Sequence, residues 1–100
     1  MASTFPITKR QFRAWLASKP PKSKPCPRGF CPLEQAVKEI IGENIVVTPH
    51  LWCSSQHEWW QNSSRNSLPR WAKAFVPEID RRSNWSWYRL TAQQIAEVLG

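Results

Sequence analysis

A hundred residues carry 14 Lys and Arg against 7 Asp and Glu, a formal charge of +7, and also hold seven tryptophans. Apolar content of 41% with 12% aromatic residues excludes disorder over most of the chain, and the length suits one domain around one core. No run approaches the roughly 18 apolar residues of a membrane span, the first residues form no apolar signal region, and three cysteines, an odd number, favour reduced thiols over a disulfide framework, so a cytoplasmic protein is expected.

Ile7-Thr8-Lys9-Arg10-Gln11-Phe12 reads as a helix start, with Thr8 as N-cap, Gln11 completing a capping box and Ile7 facing Phe12 as a hydrophobic staple. The helix should reach about Ser18, with Phe12, Trp15 and Leu16 on one face. Pro20, Pro21, Pro25 and Pro27 then impose an irregular basic loop over residues 19–30. A second helix opens at Cys31-Pro32-Leu33-Glu34, with Pro32 at N1 and Glu34 at the positive helix end. Leu33, Ala36, Val37, Ile40 and Ile41 mark its buried face, and Gly42 its stop.

Asn44-Ile45-Val46-Val47-Thr48 reads as a strand ended by Pro49. Residues 50–66 show no clean period and read as a polar, aromatic loop, with a strand at Trp52 or Trp59. A third helix opens near Ser67-Leu68-Pro69-Arg70-Trp71, its inner face marked by Leu68, Trp71, Ala72, Phe75 and Ile79, and Pro77 should kink or end it near Val76. Ser83-Asn84 is a turn, and Trp85-Ser86-Trp87-Tyr88-Arg89 alternates as a strand does, placing Trp85 and Trp87 on one face. Leu90-Thr91-Ala92-Gln93-Gln94-Ile95 repeats the capping box, opening a last helix whose Ile95, Val98 and Leu99 face inward. The expected architecture is one small, mostly helical α+β domain of about four helices, with the two strands pairing into a short β element.

Cys31-Pro32-Leu33 opening a helix, the valine-rich strand after Gly42, the run Leu68-Pro69-x-Trp71-x3-Phe75-Val76-x3-Asp80, and Thr91 opening a last helix that ends in Leu99 together resemble a scattered set of short bacterial and phage-associated proteins of uncharacterised function, over residues 7–100. Glu34 departs from that set, where the position is usually small, and the basic Pro-rich loop and the Trp59-Trp60 doublet are particular to this chain. The resemblance implies one helix-rich domain and no activity.

The charge is uneven. Residues 1–28 hold Lys9, Arg10, Arg13, Lys19, Lys22, Lys24 and Arg28 without an acid, and residues 65–89 are basic again through Arg81 and Arg82 among others. Lys9 and Arg10 occupy the first turn of a helix, where the dipole disfavours cations. With the free amides there, and Arg13 one turn on, they suit a phosphate. The loop cations suit a nucleic-acid backbone. The bland alternative is a solvated face that binds nothing.

Trp59 and Trp60 lie in a polar context and are candidate anchors for a partner protein, through an aromatic patch with a basic rim. Most tryptophans are core residues, and Trp15 and Trp71 fall on inner helix faces. Cys26, Cys31, Cys53, His50 and His57 form a possible zinc set, without the spacing of a standard finger, against the alternative of buried thiols and surface histidines. Cys53 with His57 or His50 is the nearest approach to a nucleophile and base, with no orienting acid, no oxyanion donor and no glycine-rich phosphate loop. The sequence therefore reads as a non-enzymatic basic binding module for DNA, RNA or an acidic partner surface, needing no cofactor and no small-molecule substrate. Docking onto a protein through an aromatic patch is the alternative, and a small zinc domain a distant one.

Overall fold

The computed structural model describes residues 5–53, 66–84 and 86–100. Their elements are helix α1 (Lys9–Ala17), helix α2 (Pro32–Ile41), strands β1 (Val46–Val47), β2 (Leu51–Cys53) and β3 (Asn66–Ser67), helix α3 (Arg70–Ser83), a 3-10 turn (Trp87–Arg89) and helix α4 (Ala92–Leu99). Four helices and a small antiparallel sheet make the single mostly helical α+β domain that periodicity and caps anticipate. No described helix is long and apolar enough to cross a membrane.

Caps fix three of the helix starts. Thr8 Oγ1 accepts the Gln11 amide at 3.1 Å while Gln11 Oε1 accepts the Thr8 amide at 2.8 Å, and Thr91 with Gln94 repeats the exchange at 3.2 and 2.9 Å. Cys31 builds a third box of the same kind: its sulfur accepts the Glu34 amide at 3.5 Å, and Glu34 Oε1 accepts the Cys31 amide at 2.9 Å. Gly42 closes α2 at φ 85, where a side chain would strain the backbone.

The core is aromatic. Phe12 has no exposure, stacks on Trp15 and Trp71 with ring centres 5.9 Å away in each case, and meets Phe75 edge-on at 5.2 Å. Phe5 meets Trp52 and Trp71 edge-on at 5.5 and 6.0 Å. Trp15, Trp52 and Trp71 are thus packing residues, three helical or strand faces converging on one cluster.

The sheet differs from the expected pair of strands. β1 pairs with β2, Val46 opposite Cys53 and Val47 opposite Trp52, and β2 pairs with β3, Leu51 opposite Ser67 and Trp52 opposite Asn66. β2 falls inside the segment read as a loop, at Trp52, one of the two places expected to hold a strand there. A short turn brings β1 and β2 together at little chain-entropy cost: Thr48 donates its amide to the Leu51 carbonyl at 2.8 Å and accepts the Leu51 amide on its hydroxyl at 3.0 Å. Residues 87–89, read as the partner strand, instead form the 3-10 turn, because the Trp87 indole donates to Asp80 Oδ1 at 2.7 Å and draws the turn onto α3. Trp85 lies outside the described residues.

Two further expectations are corrected. Ile40 and Ile41 are 36% and 42% exposed, since the last turn of α2 runs past the core that Leu33, Ala36 and Val37 fill. And of the two outcomes expected at Pro77, a kink or an end, the end does not occur: α3 continues to Ser83, ending at Asn84 with φ 50. The proline removes one amide and crowds the carbonyl four residues back, but stopping there would forfeit the burial of Ile79, Asp80 and Ser83. Pro77 itself is exposed, so Pro77→Ala should restore that bond without opening a cavity and stabilise the fold by about 1–3 kcal/mol. Urea unfolding measures this; a destabilised P77A variant would show that the proline itself is needed.

Candidate functional site

Phe12, Trp15 and Leu16 are buried on α1, while Lys9, Arg13 and Ala17 follow one another at i, i+4 and i+8 on the flank next to Leu16, Lys9 half-buried and Arg13 and Ala17 exposed, with Arg10 exposed farther round. No acid stands in the first turn. The capping box consumes the Gln11 amide, and among the described residues the amides of Lys9 and Arg10 have no acceptor and their side chains no ion-pair partner. Arg13 donates from Nη2 to the Gly100 carbonyl at 2.9 Å.

The Pro-rich loop is tied to the start of α4. Ser23 and Pro21 carbonyls accept the amides of Ala92 and Gln93 at 2.8 and 3.0 Å, and Thr91 caps Gln94. Those bonds satisfy the first amides of α4, so that helix start offers no open donors. They also hold Lys22 and Lys24 exposed on a fixed backbone. Between α1 and α4 runs a groove of about 490 Å³, floored by Leu16, Ala17, Ala92 and Ala96 and edged by Arg13, Lys19, Pro21 and Gln93.

The far end of the loop reaches the 3-10 turn. The Arg28 guanidinium lies over the Tyr88 ring, 4.6 Å from its centre, and Arg89 lies 5.6 Å from the same centre. Hydrogen bonding and charge from Arg89 hold the Tyr88 hydroxyl below its ordinary pKa. The turn is positioned from beneath by the bond from Trp87 to Asp80, which is 5% exposed. Burial pushes the Asp80 carboxyl above its usual value, with the indole bond pulling the other way. A raised folded-state pKa stabilises most below the unfolded value, about 3.9, and that contribution is lost as pH rises through the folded value. The stability of the wild type relative to Asp80→Asn should thus be highest below about pH 4 and decline toward neutrality. Urea titrations at several pH values measure it, and a difference that stays constant or grows with pH contradicts the assignment.

The remaining basic candidates are engaged. Lys19 Nζ meets Glu39 Oε1 at 2.7 Å and lies 5.3 Å from the Trp15 ring centre. Arg81 and Arg82 both bond Glu78, Arg82 Nε at 3.1 Å, one turn back on α3. Arg81 and Arg82 thus share one carboxylate at the end of α3, while Lys9, Arg10 and Arg13 lie on α1, with Arg13 at the far end of α4, and Lys22, Lys24 and Arg28 lie on the loop tied to the start of α4. Arg89 and Tyr88 meet Arg28 of the loop and were not singled out from sequence. Nothing local marks them, since their role comes from a contact 60 residues away along the chain.

Cys26, Cys31 and Cys53 form no disulfide and are buried. Burial first, then Glu39 and Glu34, push the Cys26 thiol up to about 12, and burial holds Cys31 well above its ordinary value. Cys31 is committed to its cap and His50 is exposed. Among the described residues no three His, Cys, Asp or Glu side chains group to hold a metal ion. His57, Trp59 and Trp60 lie outside the described residues.

Compared with protein-family models, curated proteins and solved structures, the chain matches none.

Proposed function

We propose that the chain is a basic binding module that does no chemistry of its own and grips a polyanion, DNA or RNA, with the face formed by α1, the Pro-rich loop and the start of α4. One observation carries this reading: Lys9, Arg10, Lys22 and Lys24 stand without an ion-pair partner among the described residues, on a stretch whose first acid is Glu34. Uncompensated cations on a tethered backbone cost folding energy through mutual repulsion, and phosphates relieve it. The unpaired amides of Lys9 and Arg10 add donors suited to a phosphate oxygen. Arg81 and Arg82, already bonded to Glu78, lie outside this face's core set.

An acidic protein surface is the second reading, and the apolar floor of the α1–α4 groove favours it. Salt separates the two. Phosphate contacts release counterions, so log K against log salt should fall with a slope near −0.9 per contact on duplex DNA. Replacing Lys9, Arg10 and Arg13 together by Gln should weaken nucleic-acid binding at least about tenfold at low salt and reduce the slope by about 2–3, alike for all sequences. Fluorescence anisotropy across a salt series reads both quantities, and unchanged affinity in the triple variant refutes the assignment.

A further inference from the structure

We propose that Arg28, Tyr88 and Arg89 form a clamp for an unpaired nucleotide, so that the module prefers single-stranded to duplex nucleic acid. The inference rests on the polyanion reading above and adds the strandedness of the ligand. Two guanidiniums converge on one ring, at 4.6 and 5.6 Å from its centre, and neither forms an ion pair with a described carboxylate. Like charges gathered at one point without an acid favour an anion between or beside them. The ring adds what a simple phosphate site lacks, a flat π surface that orients the Arg28 plane, with Arg28 exposed to solvent. Unpaired bases stack on aromatic faces and on guanidinium planes, and a strand that offers a base to Arg28 and Tyr88 brings its phosphate within reach of Arg89. In a duplex the bases are stacked on one another and only the phosphates are presented.

The cluster is also built to hold its shape. Arg28 comes from the loop anchored on α4 through Pro21 and Ser23, and Tyr88 and Arg89 come from the turn pinned to α3 by Trp87 and Asp80. Both supports are in place before a ligand arrives, which lowers the ordering cost of binding.

The test is anisotropy with three labelled DNAs of equal length: a single strand, its duplex, and an abasic single strand that keeps the phosphates and lacks the bases. The expected result is tightest binding to the single strand, with the abasic strand weaker by about tenfold or more. Tyr88→Ala and Arg28→Gln should each reduce single-strand affinity about tenfold while leaving the abasic strand within about twofold for Tyr88→Ala, and Tyr88→Phe should bind as the wild type does. Arg28 is exposed, so its variant tests the clamp even if the alanine at 88 disturbs the turn. Equal affinity for all three DNAs overturns the clamp and leaves the polyanion reading intact. No binding to any of them at low salt overturns both.

Discussion

Phe12→Ala should lower the unfolding free energy by about 3–5 kcal/mol, the largest single-site loss expected anywhere in this domain. Phe12 has no exposure and, among the described residues, is the one ring that touches Trp15, Trp71 and Phe75 together. Truncating it removes the lining of three neighbours at once, and the stiff indoles around it cannot collapse into the space. Small domains have only about 5–15 kcal/mol in hand, so the melting temperature should fall by on the order of 20 °C. Phe12→Leu, which keeps most of the volume, should cost less than half as much. Thermal and urea unfolding check both, and a loss below about 1 kcal/mol for F12A would place the core elsewhere. Because Phe12 anchors the inner face of α1, F12A should lower the proposed binding by unfolding part of the population. Surface variants at Lys9, Arg10 and Arg13 should not unfold the chain, and that contrast separates the two links.

The elements written into short stretches of sequence were legible. Thr8 with Gln11 and Thr91 with Gln94 announce their helices because a capping box is closed within three residues. The box at Cys31 was half visible: Pro32 and Glu34 marked the start, but a sulfur is not an expected acceptor, and the reach of Glu34 to β1 is not local. The sheet was misread because pairing is decided between segments. Val46 and Val47 could have met any extended stretch, and the alternation at 85–89 was a plausible but mistaken partner, since the period says nothing of the Asp80 carboxylate waiting for the Trp87 indole.

The charge pattern was partly legible for the same reason. Glu78 stands three and four residues before Arg81 and Arg82, the spacing at which helical side chains meet. Ending α3 at Pro77 hid that pairing, and continuing the helix through it makes both ion pairs local consequences. The Lys19 to Glu39 contact joins the start of the Pro-rich loop to α2 and had no sequence signal. Nor did the approach of Arg28 to Tyr88, which depends on loop carbonyls capping α4. What the sequence does place correctly is the acid-free run before Glu34, and the proposed interface grows from that run.

Glu34→Ala is the second large effect, expected to cost about 2–4 kcal/mol, because one carboxylate serves two elements. Oε1 accepts the Cys31 amide at 2.9 Å, closing the start of α2, and Oε2 accepts the Val47 amide at 3.0 Å, covering the free edge of β1. Alanine leaves both amides without a protein acceptor in a half-buried place, and an unpaired buried amide costs more than a made bond gains. The carboxyl is held above its ordinary pKa by burial, against the pull of those two amides, so the ionised group carries a desolvation cost that a neutral side chain avoids. Glu34→Gln should therefore fall between wild type and alanine: its oxygen keeps one amide, its NH2 opposes the other, and no charge is buried. Urea unfolding gives the ranking, and hydrogen exchange gives the cause. In E34A the amides of Cys31 and Val47 should exchange faster than the global loss of stability predicts, while Gln11 and Gln94, capped by threonine hydroxyls, should follow the global value. Uniform acceleration at all four would mean that Glu34 acts through the core as a whole, and that the edge of β1 is held by something else.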